Sequence, residues 1–211
     1  IASVVTVPSD LYARLWQIAA LAVAAAAMVT VAAGYYNTLK PRVNRVVVEV
    51  PKDAGGLKAL DIALVTDIHL GTIIKNSRLQ EMVDMVNLLR PDIVLLAGDI
   101  VDEDLGPVIQ NNLGELLCAI RSRYGTFAVT GNHEYIGGVE AACQYLSRHG
   151  VTMVRDRAVL IDNRFYLVGR EDRSITQFTG KRRLPLAIIM KDVDRSRPVI
   201  MMDHQPFRLS E

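Results

Sequence analysis

The chain has 211 residues, half of them hydrophobic, and its 24 basic and 23 acidic residues leave a formal net charge of +1. That length suits one ordinary domain plus an appendage, with enough apolar residues for a sizeable core. The charge balance argues against the long basic surface that a nucleic-acid backbone requires, so no nucleic-acid partner is expected. The basic residues are scattered apart from Lys181-Arg182-Arg183, which reads as a solvated loop. Cys118 and Cys143 lack metal-ligand spacing and describe a reducing compartment better than a disulfide framework. A first residue of Ile, and a last residue, Glu211, inside what reads as a new helix, are expected of a sequence cut from a longer one.

Residues 1–14 form an upstream flank carrying Asp10 and Arg14. Residues 15–36 carry no charge and reach the roughly 20 apolar residues that a helix needs to cross a bilayer. Trp16 at one end and Tyr35-Tyr36 at the other match an aromatic belt. The expectation is a transmembrane helix. A cleavable secretory signal, favoured by Arg14 and Val31-Ala32-Ala33, and a buried soluble helix are the competing readings. Lys40, Arg42 and Arg45 follow the segment closely, so the positive-inside rule puts everything after it on the cytoplasmic face of the membrane.

Residues 37–57 read as a connecting segment, in which Pro41 and Pro51 bracket an edge strand at Val43–Val50. From residue 58 the pattern alternates. Strands are predicted at Asp61–Thr66, Ile93–Ala97 and Thr126–Thr130, with helices at Ser77–Leu89, Val108–Ile120 and Val139–His149 between and after them. Met82 and Met85 are read as core fillers, and His149 as a cap at the end of its helix. Beyond residue 150, β structure is expected at Val151–Arg155, then a hairpin of Ala158–Ile161 and Arg164–Val168 turning at Asp162-Asn163, then a strand at Pro198–Met202.

Four short polar islands each follow an apolar, strand-like run: Asp67-Ile68-His69, Gly98-Asp99, Gly131-Asn132-His133-Glu134 and Asp203-His204. In α/β architectures the carboxyl ends of strands converge on one edge, where sites are built. Carboxylate, amide and imidazole donors gathered there suit Mn²⁺, Fe²⁺ or Zn²⁺. Side chains two apart on an extended backbone point the same way, so Asp67 and His69 can reach one ion. Asp99 has two oxygens and can bridge two cations about 3.5–4 Å apart. Asn132 and His204 suit the second ion, while His133 is placed to assist a departing oxygen. Around them, Asp102 and Glu134 are candidates for supporting or substrate-facing roles. Arg170 or Arg173 is placed either to hold a phosphate as a bidentate donor or to form a salt bridge within the loop, and Asp203 to orient the His204 ring.

As a set, these islands resemble the signature of the calcineurin-like metallophosphoesterases, over about residues 58–211, and most closely the bacterial membrane-associated branch. The resemblance implies an α/β fold, a two-sheet β sandwich flanked by helices, here preceded by one transmembrane helix. It also implies a dinuclear site at the strand ends: Asp67 and His69 on the first metal, Asp99 bridging, Asn132 and His204 on the second, and His133 assisting the leaving group. The implied activity is hydrolysis of a phosphodiester or pyrophosphate bond, with metal-bound hydroxide as nucleophile, by a membrane-anchored enzyme. Its substrate would be a phosphorylated, lipid-linked small molecule. The alternative is a binding module that keeps the fold without catalysis. One departure stands out. The family's closing Gly-His-x-His has no counterpart, the four histidines being His69, His133, His149 and His204, and truncation is the expected reason. On that expectation these 211 residues alone bind metal poorly.

Overall fold

The computed structural model describes residues 8–38 and 41–207. Helix α1 (Ser9–Thr38) is apolar around its whole circumference, and its span Asp10–Thr38 has a mean hydropathy of 2.0. At about 1.5 Å per residue it exceeds the roughly 30 Å of a bilayer's hydrocarbon core. It is therefore long and apolar enough to cross a membrane, and it extends the expected segment at both ends. Residues 1–48 and 49–211 form separate compact units.

The edge strand expected at Val43–Val50 does not form: residues 41–50 pair with no strand, and Val46, Val47 and Val48 are exposed. β-branched residues favour extended backbone, but a strand also needs a neighbour to accept its hydrogen bonds.

The second unit is built on two sheets. The first has four parallel strands in the order β1 (Ile62–Val65), β2 (Ile93–Ala97), β3 (Thr126–Val129), β4 (Val151–Met153). Helices cross between successive strands: α2 (Asn76–Leu89), then α3 (Gly106–Gln110) and α4 (Leu113–Cys118), then α5 (Asn132–Gly137) and α6 (Val139–Arg148). The second sheet pairs β5 (Arg157–Ile161) antiparallel with β6 (Phe165–Gly169), and β6 parallel with β7 (Val199–Met202). Short helices α7 (Ile175–Thr179) and α8 (Leu186–Ile189) lie between β6 and β7. The hairpin turns where expected: Asp162 and Asn163, both at positive φ, lie in the three-residue loop between the paired Ile161 and Phe165, and the Arg164 N–H donates back to the Ile161 carbonyl.

Strand β2 shows why its sequence is an unbroken apolar run. Val94 and Leu96 face a core shared with Leu79, Val83 and Val86 of α2, while Ile93 and Leu95 pack with Phe165, Leu167 and Met202 of the second sheet. A strand covered on both faces has no polar face to alternate with. The result is helices on a sheet on a sheet, as expected.

The helix expected over Val108–Ile120 is split into α3 and α4 at Asn111-Asn112, where Asn112 takes φ +52°. Asn visits the left-handed region more readily than most residues. Gly114 then lets the His149 ring lie against the backbone, where a Cβ would come within 2.4 Å of it. His149 itself caps α6 as expected, its Nδ1 bonding the Tyr145 carbonyl at 2.8 Å.

Candidate metal centre

Parallel pairing of Val65 with Leu96 and of Ala97 with Val129 aligns three strand ends on one edge. The backbone stays zipped past those ends: the N–H groups of Asp67, His69 and Leu70 donate to the carbonyls of Gly98, Asp99 and Ile100. To follow this path, Asp67, His69 and Asp99 all adopt left-handed φ, at +55°, +50° and +50°. The expected extended backbone is thus not how Asp67 and His69 meet; left-handed turns at both residues bring them together without reversing the chain. Non-glycine residues in that region cost on the order of 1 kcal/mol or more and cluster where function demands it.

The side chains converge. His69 Nε2 lies 3.9 Å from Asp67 Oδ1 and 3.8 Å from Asp99 Oδ2, and His204 Nε2 lies 3.3 Å from the same Asp99 oxygen. One donor atom each from Asp67, His69 and Asp99 falls within 4.8 Å of the others, close enough to share an ion. His204 reaches the site from the second sheet, and its Nδ1 is held by the Ala97 carbonyl at 2.8 Å, leaving Nε2 as the ligating nitrogen. Gly98, at φ +93°, makes room: a Cβ there would lie 2.7 Å from the His204 ring. Asn132 joins through Gln205, whose Nε2 donates to its Oδ1 at 2.7 Å, and the next residue's N–H, that of His133, donates to Asp99 Oδ1 at 2.9 Å.

Asp102 is not a free loop carboxylate. Its Oδ1 accepts from His133 Nδ1 at 2.9 Å and so orients that ring, while His69 Nδ1 lies farther off, at 3.6 Å; the two imidazole rings meet edge-on, 4.4 Å apart. Asp102, His69 and His133 also lie close enough to hold an ion. The 2.9 Å contact nevertheless has hydrogen-bond length, which suits an orienting role.

Glu134 is buried, and its carboxylate accepts four backbone N–H bonds, from Gly131, Asp99, Ile100 and Val101. It therefore ties the Gly98-Asp99 turn to the Gly131 turn instead of facing a pocket. Burial pushes its carboxyl above the ordinary range despite those bonds. Helix α5 starts here, in a stretch for which the sequence predicts no element. A Gly followed three residues later by Glu is half of a capping box, the signal that announces it.

Two of the candidates are set against each other. Asp203 does not orient His204; it pairs with Arg170 at 3.2 Å and Arg183 at 3.2 Å, because β6 and β7 run parallel and set Arg170 beside it. Arg170, buried in that pair, is correspondingly not presented to a substrate. Thr66, whose hydroxyl donates to Asp67 Oδ2 at 2.6 Å, and Gln205 were both missed. Their one sequence signal is adjacency to a candidate ligand.

Charge is tightly coupled at the centre. Burial pushes the Asp99 carboxyl up, but hydrogen bonds from His204 and from the His133 N–H outweigh it and hold it below the ordinary carboxylate value. The hydrogen bond to Asp99 pushes the His204 imidazole up to about 9, against its own burial. Acid and imidazole in this contact occupy the positions a cation would take over.

Residues 60–210 match the profile of the calcineurin-like phosphoesterases. The chain belongs to that family. Among the chain's relatives, an uncharacterized metallophosphoesterase of Aquifex aeolicus is 28% identical over 181 residues, covering 84% of this chain and 68% of its own. A transmembrane protein with metallophosphoesterase domain from Bos taurus is 31% identical over 203 residues, covering 89% of this chain and 45% of its own. A UDP-2,3-diacylglucosamine pyrophosphatase of Chlamydia trachomatis is 31% identical over 102 residues, covering 47% of this chain and 31% of its own. The chain thus spans about two thirds of one relative and under half of the other two.

Proposed function

We propose that this protein is a membrane-anchored phosphoesterase that hydrolyses a phosphodiester or pyrophosphate bond at a centre for two divalent cations. One observation carries the proposal: Oδ2 of the Asp99 carboxylate lies within reach of both His69 Nε2, at 3.8 Å, and His204 Nε2, at 3.3 Å, which suits a ligand shared by two ions. The donors fit such ions, being carboxylate, amide oxygen and imidazole nitrogens already turned inward. Asp67, His69 and Asp99 would hold the first cation, and Asp99, Asn132 and His204 the second. When bound, the pair supplies Lewis acidity that polarises a phosphoryl oxygen and lowers the pKa of water.

The chain's own residues do the rest. With Nδ1 donating to Asp102, His133 keeps Nε2 for proton transfer to the departing oxygen. Thr66 orients Asp67, the Ala97 carbonyl orients His204, and Glu134 fixes the backbone beneath Asp99. Ligands locked in this way lose little entropy when an ion enters.

The apolar α1 supports a membrane location, as does the transmembrane description of the bovine relative. Lys40, Arg42 and Arg45 after the helix, against Arg14 and Asp10 in its first two turns, favour the cytoplasmic face. The chlamydial relative's name, a pyrophosphatase of an acylated sugar nucleotide, favours a lipid-linked substrate here as well.

The test is release of p-nitrophenol from bis-p-nitrophenyl phosphate by the full-length protein, first chelated and then resupplied with Mn²⁺. Hydrolysis that disappears on chelation and returns with metal is the expected result. A protein that binds metal and cleaves neither this diester nor a pyrophosphate would point to the binding-module alternative.

A further inference from the structure

A cavity of about 590 Å³ opens beside the candidate centre, and Arg173, Thr176, Arg182, Arg183, Gln205 and Phe207 are among the residues that line it. Three arginines face it and no carboxylate does. Arg183 is anchored to Asp203. The Arg173 guanidinium is laid over the Phe207 ring, 4.4 Å from its centroid, which restrains an otherwise flexible side chain. Arg182 and Arg173 are exposed to solvent, so their charge is available to a ligand.

The cavity and the centre share a wall. Gln205 lines the cavity and also donates to Asn132, a candidate ligand, and it directly follows His204. A phosphoryl group held at the metal ligands therefore has its substituent leaving along an arginine-lined path. A simple phosphodiester carries a single charge and would leave those guanidiniums unmatched. The lining is polar, with Ser174, Thr176 and Gln177 beside the arginines, so it suits a charged group and not an acyl chain. Its volume lies within the usual range for small-molecule sites, roughly 300–1,000 Å³, and well above what a lone phosphate fills. Guanidinium forks match phosphate oxygens two at a time.

We propose that this cavity is the subsite for a second phosphate, so that the preferred substrate is a diphosphate, with Arg173 and Arg182 selecting it. The proposal rests on the phosphoesterase reading above. A diphosphate reaches the site either as a soluble nucleoside-diphosphate sugar or as the head group of a lipid, and both offer the same chemistry.

The experiment uses the full-length protein and the double variant Arg173→Gln/Arg182→Gln. Three substrates are compared: UDP-glucose, an acylated UDP-sugar in detergent micelles, and bis-p-nitrophenyl phosphate, which has no second phosphate. The variant should lower kcat/KM for the diphosphates relative to the single-phosphate ester by about tenfold or more, mainly through KM. The tighter of the two diphosphates names the source. An unchanged ratio overturns the subsite. Calorimetric titration with inorganic pyrophosphate and orthophosphate decides the matter even without turnover. The variant should weaken pyrophosphate by about tenfold more than orthophosphate. Equal weakening of the two, or none, overturns it. A wild type that cleaves none of the three substrates would count against the phosphoesterase reading alone, leaving the subsite to the titration.

Discussion

His204 and Asp99 meet from different sheets: Nε2 of the imidazole lies 3.3 Å from Oδ2 of the carboxylate, while Nδ1 is pinned to the Ala97 carbonyl. Without a cation this contact is held by a proton. The His204 pKa rises from 6.5 to about 9, chiefly through the Asp99 bond, and that bond keeps Asp99 below 3.8 although burial pushes it the other way.

The signs follow by linkage. A raised histidine contributes stability that is complete below about 6.5 and lost as pH climbs through about 9. A depressed carboxylate contributes stability that is complete above 3.8 and lost as pH falls through its lowered value. Thermal melts of the metal-free protein should therefore show Tm falling from about pH 6.5 to about 9 as well as in acid, with the alkaline fall absent in His204→Gln. A cation has to displace the proton, so Mn²⁺ affinity should strengthen as pH rises from about 6 to 9. Titrations giving one affinity across that range would count against His204 as a ligand.

Asp102→Asn tests the support of His133. Removing an acid that orients a reacting or ligating imidazole typically costs about 10–100-fold in activity or metal affinity. The expected loss is in kcat, with KM nearly unchanged. A loss confined to KM would instead place Asp102 against the substrate.

Glu134→Gln removes a buried carboxylate that four backbone N–H groups share. The amide brings a donor into a nest of donors, and the expected destabilisation is about 2–4 kcal/mol, read by urea unfolding. Wild-type stability in this variant would show that the two turns hold themselves.

Gly131→Ala should damage the centre without touching a ligand. A Cβ at Gly131 would fall 2.1 Å from Asp99 Oδ1, so the carboxylate has to move. Metal content should drop while circular dichroism stays close to wild type; full occupancy would mean that Asp99 tolerates displacement.

Much of this was legible in the sequence, because each island follows a strand and parallel strands align their ends whatever lies between them. The hairpin at Asp162-Asn163 could be read for a similar reason, since two residues that accept positive φ sit between alternating runs. Long-range pairing was not legible. Asp203 stands next to His204 in the chain, yet parallel β6 and β7 give it to Arg170. Val43–Val50 has strand composition but no partner. The left-handed turns at Asp67, His69 and Asp99 depend on backbone bonds between segments some thirty residues apart, which no local propensity encodes.

The central claim is that Asp99 bridges two cations. Its most direct test is metal counted per chain by plasma mass spectrometry in the full-length protein and in Asp99→Asn, with diester hydrolysis measured on the same samples. Two divalent ions per chain in the wild type are predicted, against one or none in the variant, with a rate about 10³-fold lower. An Asp99→Asn protein that keeps both ions and its rate would contradict the account.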